Sequence, residues 1–477
     1  LDAVPIEQPL ADLTAAALLA AYGSGELSPV DVLEDVLARA DAWELRLNAL
    51  YAFDPAGARA QAEASAKRWQ KGAPCGPLDG VPVTVKENVA SKGTPVPLGT
   101  AATPLQPAAE DAPPVARLRE AGAILFAKTT MPDYGMLSSG LSTFHGITRN
   151  PWDVSQNPGG SSAGAGAAAA AGYGPLHLGT DIGGSVRLPA CWCGIFALKP
   201  SLGRVPIDPP YVGRVAGPMT RTVEDAALLM SVLSKPDSRD TMRLPPADIP
   251  WVSLERRLKG LRIGLMLDAG CGMPLDPEIR TVTVAAARAF EAEGAIIEEV
   301  PGVMTAEILN GLDNFWRARS WDDLMRLSPA QRDKVLPFIH DWAAKAEALT
   351  GVDVVRGFNA TMAIRARAAR LFQALDFVLS PVAPVVSFAA ELPSPLNDPE
   401  DPFGHIAYTV PWSMSEQPAA SINAGHSASG FPIGLQIAGQ RFDDLGVLQL
   451  ARAFEQIRPR QKAWPRAGLA TISGEDF

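Results

Sequence analysis

Apolar residues recur at helical spacing from the start of the chain to about residue 70. Ser28 stands before Pro29, an N-cap ahead of a proline suited to the first helical position, and Val30, Val32, Leu33, Val36 and Leu37 then make one apolar face. Asp54-Pro55 repeats the device before an alanine-rich helix ending near Lys71-Gly72. The pattern predicts a helical apron over 1–70. From Gly80 to about 235 the period shortens. Apolar runs at 81–85 and 123–126 read as buried strands, with a helix at 114–121 between them. A glycine-rich turn, an alanine helix, a strand near 176–178, a second glycine-rich turn and a helix capped by Thr222, with Asp225 three residues on, complete this stretch.

The alternation resumes near Lys259, with a strand at 261–267, a helix at 276–293 and a strand at 295–300. Residues 305–350 read as mostly helical and carry Phe315, Trp316, Trp321, Leu324 and Trp342. Strands near 376–379 and 433–438 and a helix at 443–456 close the pattern. Such alternation predicts an α/β fold, a large parallel or mixed sheet covered by helices on both faces. No Ser/Gly linker, charge run or internal repeat separates the stretches. The expectation is therefore one domain over 1–477, with 80–235 as its catalytic core and the Trp-bearing helices, about 303–350, as an insertion near the substrate pocket.

Composition acts mainly by exclusion. Glycine (42) and proline (43) are spread along the 477 residues, which fits a loop-rich enzyme better than low complexity. A net charge of −10 without a basic stretch argues against a nucleic-acid partner. Cys75, Cys191, Cys193 and Cys271 are too scattered for a disulfide framework. Cys191-Trp192-Cys193 is too closely spaced for a zinc pair, and the 5 histidines and the carboxylates show no metal-ligand spacing, so no metal or organic cofactor is expected. No run reaches the roughly 18 apolar residues of a membrane helix, so no membrane partner is expected and the default location is cytoplasmic. The chain begins at Leu1, and a removed leader would leave no trace in it.

Candidate chemistry concentrates between Gly80 and Pro200. The turns Gly159-Gly160-Ser161-Ser162-Ala163-Gly164 and Gly179-Thr180-Asp181-Ile182-Gly183-Gly184-Ser185-Val186-Arg187 bracket the alanine helix. Glycine beside serine lets the backbone approach a ligand and aim N–H groups inward, as an oxyanion hole requires. One such turn is an ordinary loop; two around a single helix are more specific. A serine nucleophile needs a base, and Lys86 closes the apolar run Val81-Pro82-Val83-Thr84-Val85. Buried there, a lysine loses solvation, its pKa falls and its neutral form accepts a proton. The strand alone is equally compatible with a lysine that snorkels to the surface.

Gly80-Val-Pro-Val-Thr-Val-Lys86-Glu-Asn88, the two serine turns, Cys193-Gly-Ile-Phe-Ala-Leu-Lys199-Pro200-Ser201 and Gly217-Pro-Met-Thr-Arg-Thr222 together resemble the amidase signature family. Arg149-Asn-Pro-Trp152 and Gly430-Phe-Pro-Ile-Gly-Leu-Gln436 extend the resemblance over most of the chain. It implies that family's fold, a mixed sheet between helical layers. It also implies Ser185 as nucleophile, Ser161 as a bridging serine after a cis peptide bond, and Lys86 as base. The N–H groups of Ile182, Gly183, Gly184 and Ser185 correspond to the oxyanion hole, and Asp181 and Arg187 to a structural pair bracing the turn. Tyr134, Gly135 and Met136, in the loop beside that hole, and Thr180 are the implied substrate contacts. Ala163, where a second glycine is common, and Glu87, where aspartate is common, are the departures.

Three other readings compete. Gly160-Ser161-Ser162-Ala163-Gly164 matches the nucleophile elbow of an α/β-hydrolase esterase, with Ser162 as nucleophile and His405 or His426 as partner. Gly164-Ala165-Gly166 mimics a dinucleotide fingerprint. A non-catalytic subunit would be expected to lose part of the Lys-Ser-Ser set, which is complete here. Family relatives hydrolyse aliphatic, aryl and fatty amides, carbamates and ureas, and one branch serves as an amidotransferase subunit that supplies ammonia for aminoacyl-tRNA. Ile182 resembles the free-standing hydrolases. If the Trp-bearing helices and the loop at 205–218, with Tyr211, cover the site, aryl or hydrophobic acyl substrates are favoured. The expectation is an amidase acting on a small-molecule carboxamide as a monomer or homodimer, with carbamate (urethane) hydrolysis as the near alternative.

Overall fold

The N-terminal helices form where caps and apolar stripes place them. In the computed structural model, which describes residues 9–467, Thr14 caps α1 (Ala15–Ser24), Ser28 caps α2 (Pro29–Leu47) and Asp54 caps α3 (Pro55–Gln70). Each capping side chain accepts a backbone N–H of the first turn. The α2 face carrying Val32, Leu33, Val36, Leu37 and Trp43 is buried. Residues 1–8 of the expected apron lie outside the described part, and a short strand, β1 (Leu50–Tyr51), interrupts it.

The central stretch runs β2 (Pro82–Lys86), α4 (Pro113–Glu120), β3 (Ile124–Thr129), β4 (Leu141–Ser142), β5 (Gly146–Ile147), α5 (Ala163–Ala171), β6 (Leu176–Asp181), α6 (Arg187–Cys193), β7 (Phe196–Lys199), β8 (Val215–Thr220) and α7 (Val223–Leu233). After it come β9 (Arg262–Leu265), α8 (Pro277–Ala292), β10 (Ile296–Glu299), α9 (Ala306–Met325), α10 (Pro329–Arg332), α11 (Pro337–Ala344) and α12 (Gly351–Leu371). The chain closes with β11 (Phe377–Pro381), α13 (Val410–Met414), β12 (Ala419–His426), β13 (Pro432–Gly439) and α14 (Asp444–Ile457).

Eleven strands make one mixed sheet in the order β1-β3-β2-β6-β8-β7-β12-β13-β11-β9-β10. β2, β3 and β6 are parallel, as are β9, β10 and β11, while β7, β8, β12 and β13 pair antiparallel between them. Val83 faces Leu176 and Val85 faces Leu178, so Lys86 and Asp181 end neighbouring strands on the same edge of the sheet. In open α/β sheets the carboxyl edge is where ligands bind.

Sequence periodicity passes over β7, β8 and β12. β7 and β8 are buried throughout and β12 over its first six residues, so they show no alternation. β8 even contains Gly217-Pro218; a Cβ at Gly217 would overlap the Leu198 carbonyl of β7. The same economy of space explains α5, whose nine residues are all buried Ala or Gly. A Cβ on Gly164 would overlap Ala49 O, and one on Gly166 would lie 2.9 Å from Pro189 Cβ. A helix enclosed in this way has no face for a dinucleotide, and that reading falls.

The helical stretch expected to stop near 350 continues to Leu371. Thr350 is not the end of a helix but the N-cap of α12, in a reciprocal capping box with Asp353. α12 lies along α9, with Phe315 and Phe358 rings 5.4 Å apart and Gly357 directly against the Gly311 carbonyl. On the other side of the sheet, Phe290 of α8 stacks on Phe454 of α14 at 5.3 Å, both fully buried. Phe290→Ala should therefore cost about 3–5 kcal/mol. A thermal melt followed by circular dichroism checks this: the midpoint is expected to drop by several degrees, and an unchanged midpoint would show that the α8–α14 contact is not part of the cooperative core.

Candidate active site

Lys86 is the last residue of β2 and is fully buried. Its Nζ lies 2.8 Å from Ser161 Oγ and 3.0 Å from Thr180 Oγ1, and Asn88 Nδ2 donates to the same threonine oxygen at 3.1 Å. Burial holds the lysine pKa down to about 7; Asp181 and Glu87 pull it back up, and Arg214 opposes them. Next to it, Glu87 is locked in place by His145 Nε2 at 2.6 Å and the Gly99 N–H at 2.9 Å.

Ser161 enters at the start of α5 after a cis Gly160-Ser161 peptide bond. Gly160 has no room for a side chain, since a Cβ would run into the Ser139 backbone. Gly135 (φ +67°) passes close to the serine; a Cβ there would sit 3.3 Å from Ser161 Oγ. The Ser162 N–H donates to Ser185 O at 3.1 Å, which ties the first serine turn to the second.

The second turn follows β6. The Asp181 carboxylate accepts from Gly184 N (2.9 Å) and Val186 N (3.2 Å), and pairs with Arg187 Nε and Nη2, both at 3.0 Å. Neither side chain of the pair is exposed. Burial, the largest single influence, would raise the Asp181 pKa; the Arg187 charge and hydrogen bonds, the Lys199 charge and the Val186 N–H together outweigh it and hold the group at about 2. Gly184 adopts φ +134°, and a Cβ there would meet Thr409 Oγ1 at 2.6 Å. Thr409 Oγ1 in turn donates to Gly183 O at 2.6 Å.

Ser185 opens onto a cleft lined by Gly135, Met136, Leu137, Ser138, Ile182, Gly183, Trp316, Arg319, Phe403 and Ile406. Trp316 and Ile406 stand over the turn, within 3.4 Å of where a Gly183 side chain would begin. The mostly apolar lining suits the apolar part of a small organic ligand.

The structure thus gathers Lys86, Ser161, Asp181, Ser185 and Arg187 at one sheet edge, and it corrects several expectations. The Gly184 N–H is directed onto the Asp181 carboxylate, which removes it from the oxyanion-hole set and leaves Ile182, Gly183 and Ser185. Thr180 does not line the cleft; its hydroxyl is the partner of Lys86 and Asn88. Gly135 and Met136 do line it, whereas the Tyr134 ring packs into the apolar cluster around α9. Of the three tryptophans singled out, Trp316 reaches the cleft. Trp342 bonds Asp313 at 2.8 Å and Trp321 lies against His340. The esterase reading fails on Ser162, which is fully buried and hydrogen-bonded to the Thr180 backbone at 3.1 and 3.3 Å. His405 is buried with both ring nitrogens unpaired, and His426 lies on Trp152. Arg319, Phe403, Ile406 and Thr409 were missed: each reaches the site from far along the chain, and no local signal marks it.

The Amidase family model matches residues 31–448. An acylamidase of Rhodococcus erythropolis is 34% identical over 95% of this chain and 97% of that protein. A glutamyl-tRNA(Gln) amidotransferase subunit of Myxococcus xanthus (strain DK1622) is 34% identical over 94% and 97%. Among solved structures, a bacterial aryl acylamidase of the amidase signature enzymes superposes with a TM-score of 0.87 at 29% identity, covering 94% of this chain and 97% of that one.

Removing one member of a buried ion pair leaves the other uncompensated, at about 3–5 kcal/mol. Asp181→Asn should therefore lower the melting temperature at pH 7. Because the folded pKa of Asp181 lies below that of a free carboxyl, its stabilisation is complete above about pH 4 and is lost as pH falls toward 2. The gap between wild type and Asp181→Asn should narrow over that range. Equal melting temperatures at pH 7 would show that the pair does not brace the turn.

Proposed function

The chain belongs to the Amidase family, and from that premise we propose that it hydrolyses the C–N bond of an aryl or hydrophobic carboxamide through Ser185, Ser161 and Lys86. One observation carries the reading: a fully buried lysine, 2.8 Å from Ser161 Oγ, behind a cleft onto which Ser185 opens. With its pKa near 7, Lys86 is substantially neutral at and above neutral pH. Neutral Nζ accepts the Ser161 proton across that contact, and Ser161 takes the Ser185 proton. Ser185 Oγ then attacks the carbonyl carbon, and the electron pair displaced onto oxygen meets the N–H groups of Ile182, Gly183 and Ser185. As the C–N bond breaks, Ser161 returns a proton to the departing nitrogen, and the acyl group stays on Ser185. Water, deprotonated by the same relay, releases the acid.

The acylamidase relatives support amide cleavage, and the aromatic walls of the cleft support a bulky substrate. A carbamate would present the same carbonyl to the same groups, so urethane hydrolysis is the nearest variant. The full-length similarity to an amidotransferase subunit favours a second reading, ammonia release from glutamine for a partner enzyme.

The deciding measurement is kcat/KM on an acyl nitroanilide, an N-aryl carbamate, a nitrophenyl ester and glutamine, each with Ser185→Ala as blank. Nitroanilide cleavage is expected, with a loss of about a thousandfold or more in Ser185→Ala. Activity within tenfold of wild type would remove Ser185 as nucleophile, and turnover of glutamine alone would favour the amidotransferase role. A second expectation concerns pH. The protonated lysine cannot accept a proton, so kcat/KM should fall below about pH 7 and level off above it. The limb should be absent from the residual activity of Lys86→Ala; an unchanged profile there would assign the proton to another group.

A further inference from the structure

The cleft is apolar on most of its walls, yet one charged side chain lines it, Arg319 of α9. Its Nη2 lies 3.3 Å from Met136 Sδ, a weak acceptor, and its guanidinium carbon stands 4.9 Å over the Tyr211 ring. Neighbouring arginines are paired: Arg317 of the same helix with Asp313 at 2.6 Å, and Arg326 at its C-cap with Asp322 at 2.5 Å. Among the described residues Arg319 has no such carboxylate. Asp323, one turn further on, makes no ion pair with it either; burial raises the pKa of that carboxyl, which Arg319 opposes. A second cation also lies near Arg319. Arg214, in the loop between β7 and β8, is disfavoured in its charged form by burial first and by Arg319 next. Arg319 thus stands at the edge of an apolar cleft with no carboxylate paired to it among the described residues, and the Tyr211 face restrains the plane of its guanidinium.

We infer that the cleft accepts a substrate bearing a carboxylate on the arm that passes between Met136 and Trp316, with Arg319 as the residue that binds it. This rests on the amide-hydrolysis reading of the same site. The apolar part of that arm lies against Trp316 and Ile406, and the carboxylate oxygens accept from guanidinium N–H groups that have no strong acceptor in the free protein. A fork of donors held in place by an aromatic face binds without first being ordered, which favours affinity. If Arg319 merely packs Met136 against Tyr211, ligand charge will make no difference.

The test uses Ser185→Ala protein, which binds without turning over, titrated calorimetrically with glutaryl 4-nitroanilide and with the matching primary amide in which the carboxylate is –CONH2. The carboxylate should bind about tenfold or more tighter, the range of a charge-assisted hydrogen bond. The preference should shrink in about 0.5 M salt. It should vanish when Arg319→Gln is added and return in part with Arg319→Lys, each variant first shown to melt cooperatively. Equal binding of the two ligands, or a preference that survives Arg319→Gln, overturns the inference. Because binding is read without turnover, an Arg319-dependent preference in a protein whose wild type cleaves neither compound would uphold the subsite while removing the hydrolytic reading.

Discussion

A guanidinium with no exposure to water must have every donor satisfied, and Arg187 meets that condition within the site itself. Its Nε and Nη2 bond the Asp181 carboxylate, Nη1 donates to Thr409 O at 2.7 Å and Gln436 Oε1 at 2.8 Å, and Nη2 also reaches Ser413 Oγ at 2.9 Å. Those acceptors come from β6, from the residues around α13 and from β13, segments remote in sequence. Gln436 passes the constraint on through Nε2, to Ser380 Oγ at 2.8 Å and Tyr408 O at 2.7 Å. Since a partly satisfied buried charge is strongly unfavourable, the network forms as a unit or not at all. The turn that carries Ser185 is one of its members, so its backbone is set by the whole sheet rather than by local glycine preferences.

Burial alone does not single out a base. Lys86, Lys128 and Lys199 are all buried, and in each, desolvation depresses the pKa, to about 7, 8 and 7. What separates them is the partner. Lys128 donates to Val89 O and Lys199 to Pro200 O, and a carbonyl can offer no proton to a neutral amine. Lys86 faces two hydroxyls, Ser161 and Thr180, and of these Ser161 stands in the turn bonded to the nucleophile candidate's backbone. The proposed proton path therefore rests on which oxygen the lysine meets, with the lowered pKa as its complement.

That distinction also marks how far the sequence could be read. The strand ending in Lys86, both serine turns, the capped helices α2, α3, α7 and α8, and the Asp181–Arg187 pairing were legible, because each is a local pattern or belongs to a motif with fixed order. Gly184 could not be separated from its neighbours as an N–H donor, because its bond to Asp181 depends on a backbone shape that spacing does not encode. Thr180 was identified as near the site but given the wrong neighbour, since one residue along a strand reverses the direction of a side chain. The strands β7, β8 and β12 were invisible because strands buried on both faces carry no alternation. The cleft walls were the least legible: Trp316, Phe403 and Ile406 meet only through tertiary packing around the insertion helices.

The proposed catalytic groups and most of the cleft walls therefore have separate origins. Lys86, Ser161 and Ser185 are held by β2, α5 and β6 and by the arginine network behind them. The walls come from α9, from the loop at 134–138 and from residues 403–406, which add little to that network apart from the Thr409 contacts. A change at Trp316 or Ile406 alters the volume in front of Gly183 without disturbing Asp181 or Lys86, because these side chains meet the turn only by van der Waals contact. Changes in the network have the opposite character, since they reach the turn through hydrogen bonds and charge. Chain-wide likeness accordingly shows the family and leaves the substrate open, since an acylamidase and an amidotransferase subunit are each 34% identical to this chain over 97% of their own length. On the proposed reading, substrate choice rests with the few side chains of α9, of the loop at 134–138 and of residues 403–406 that line the cleft.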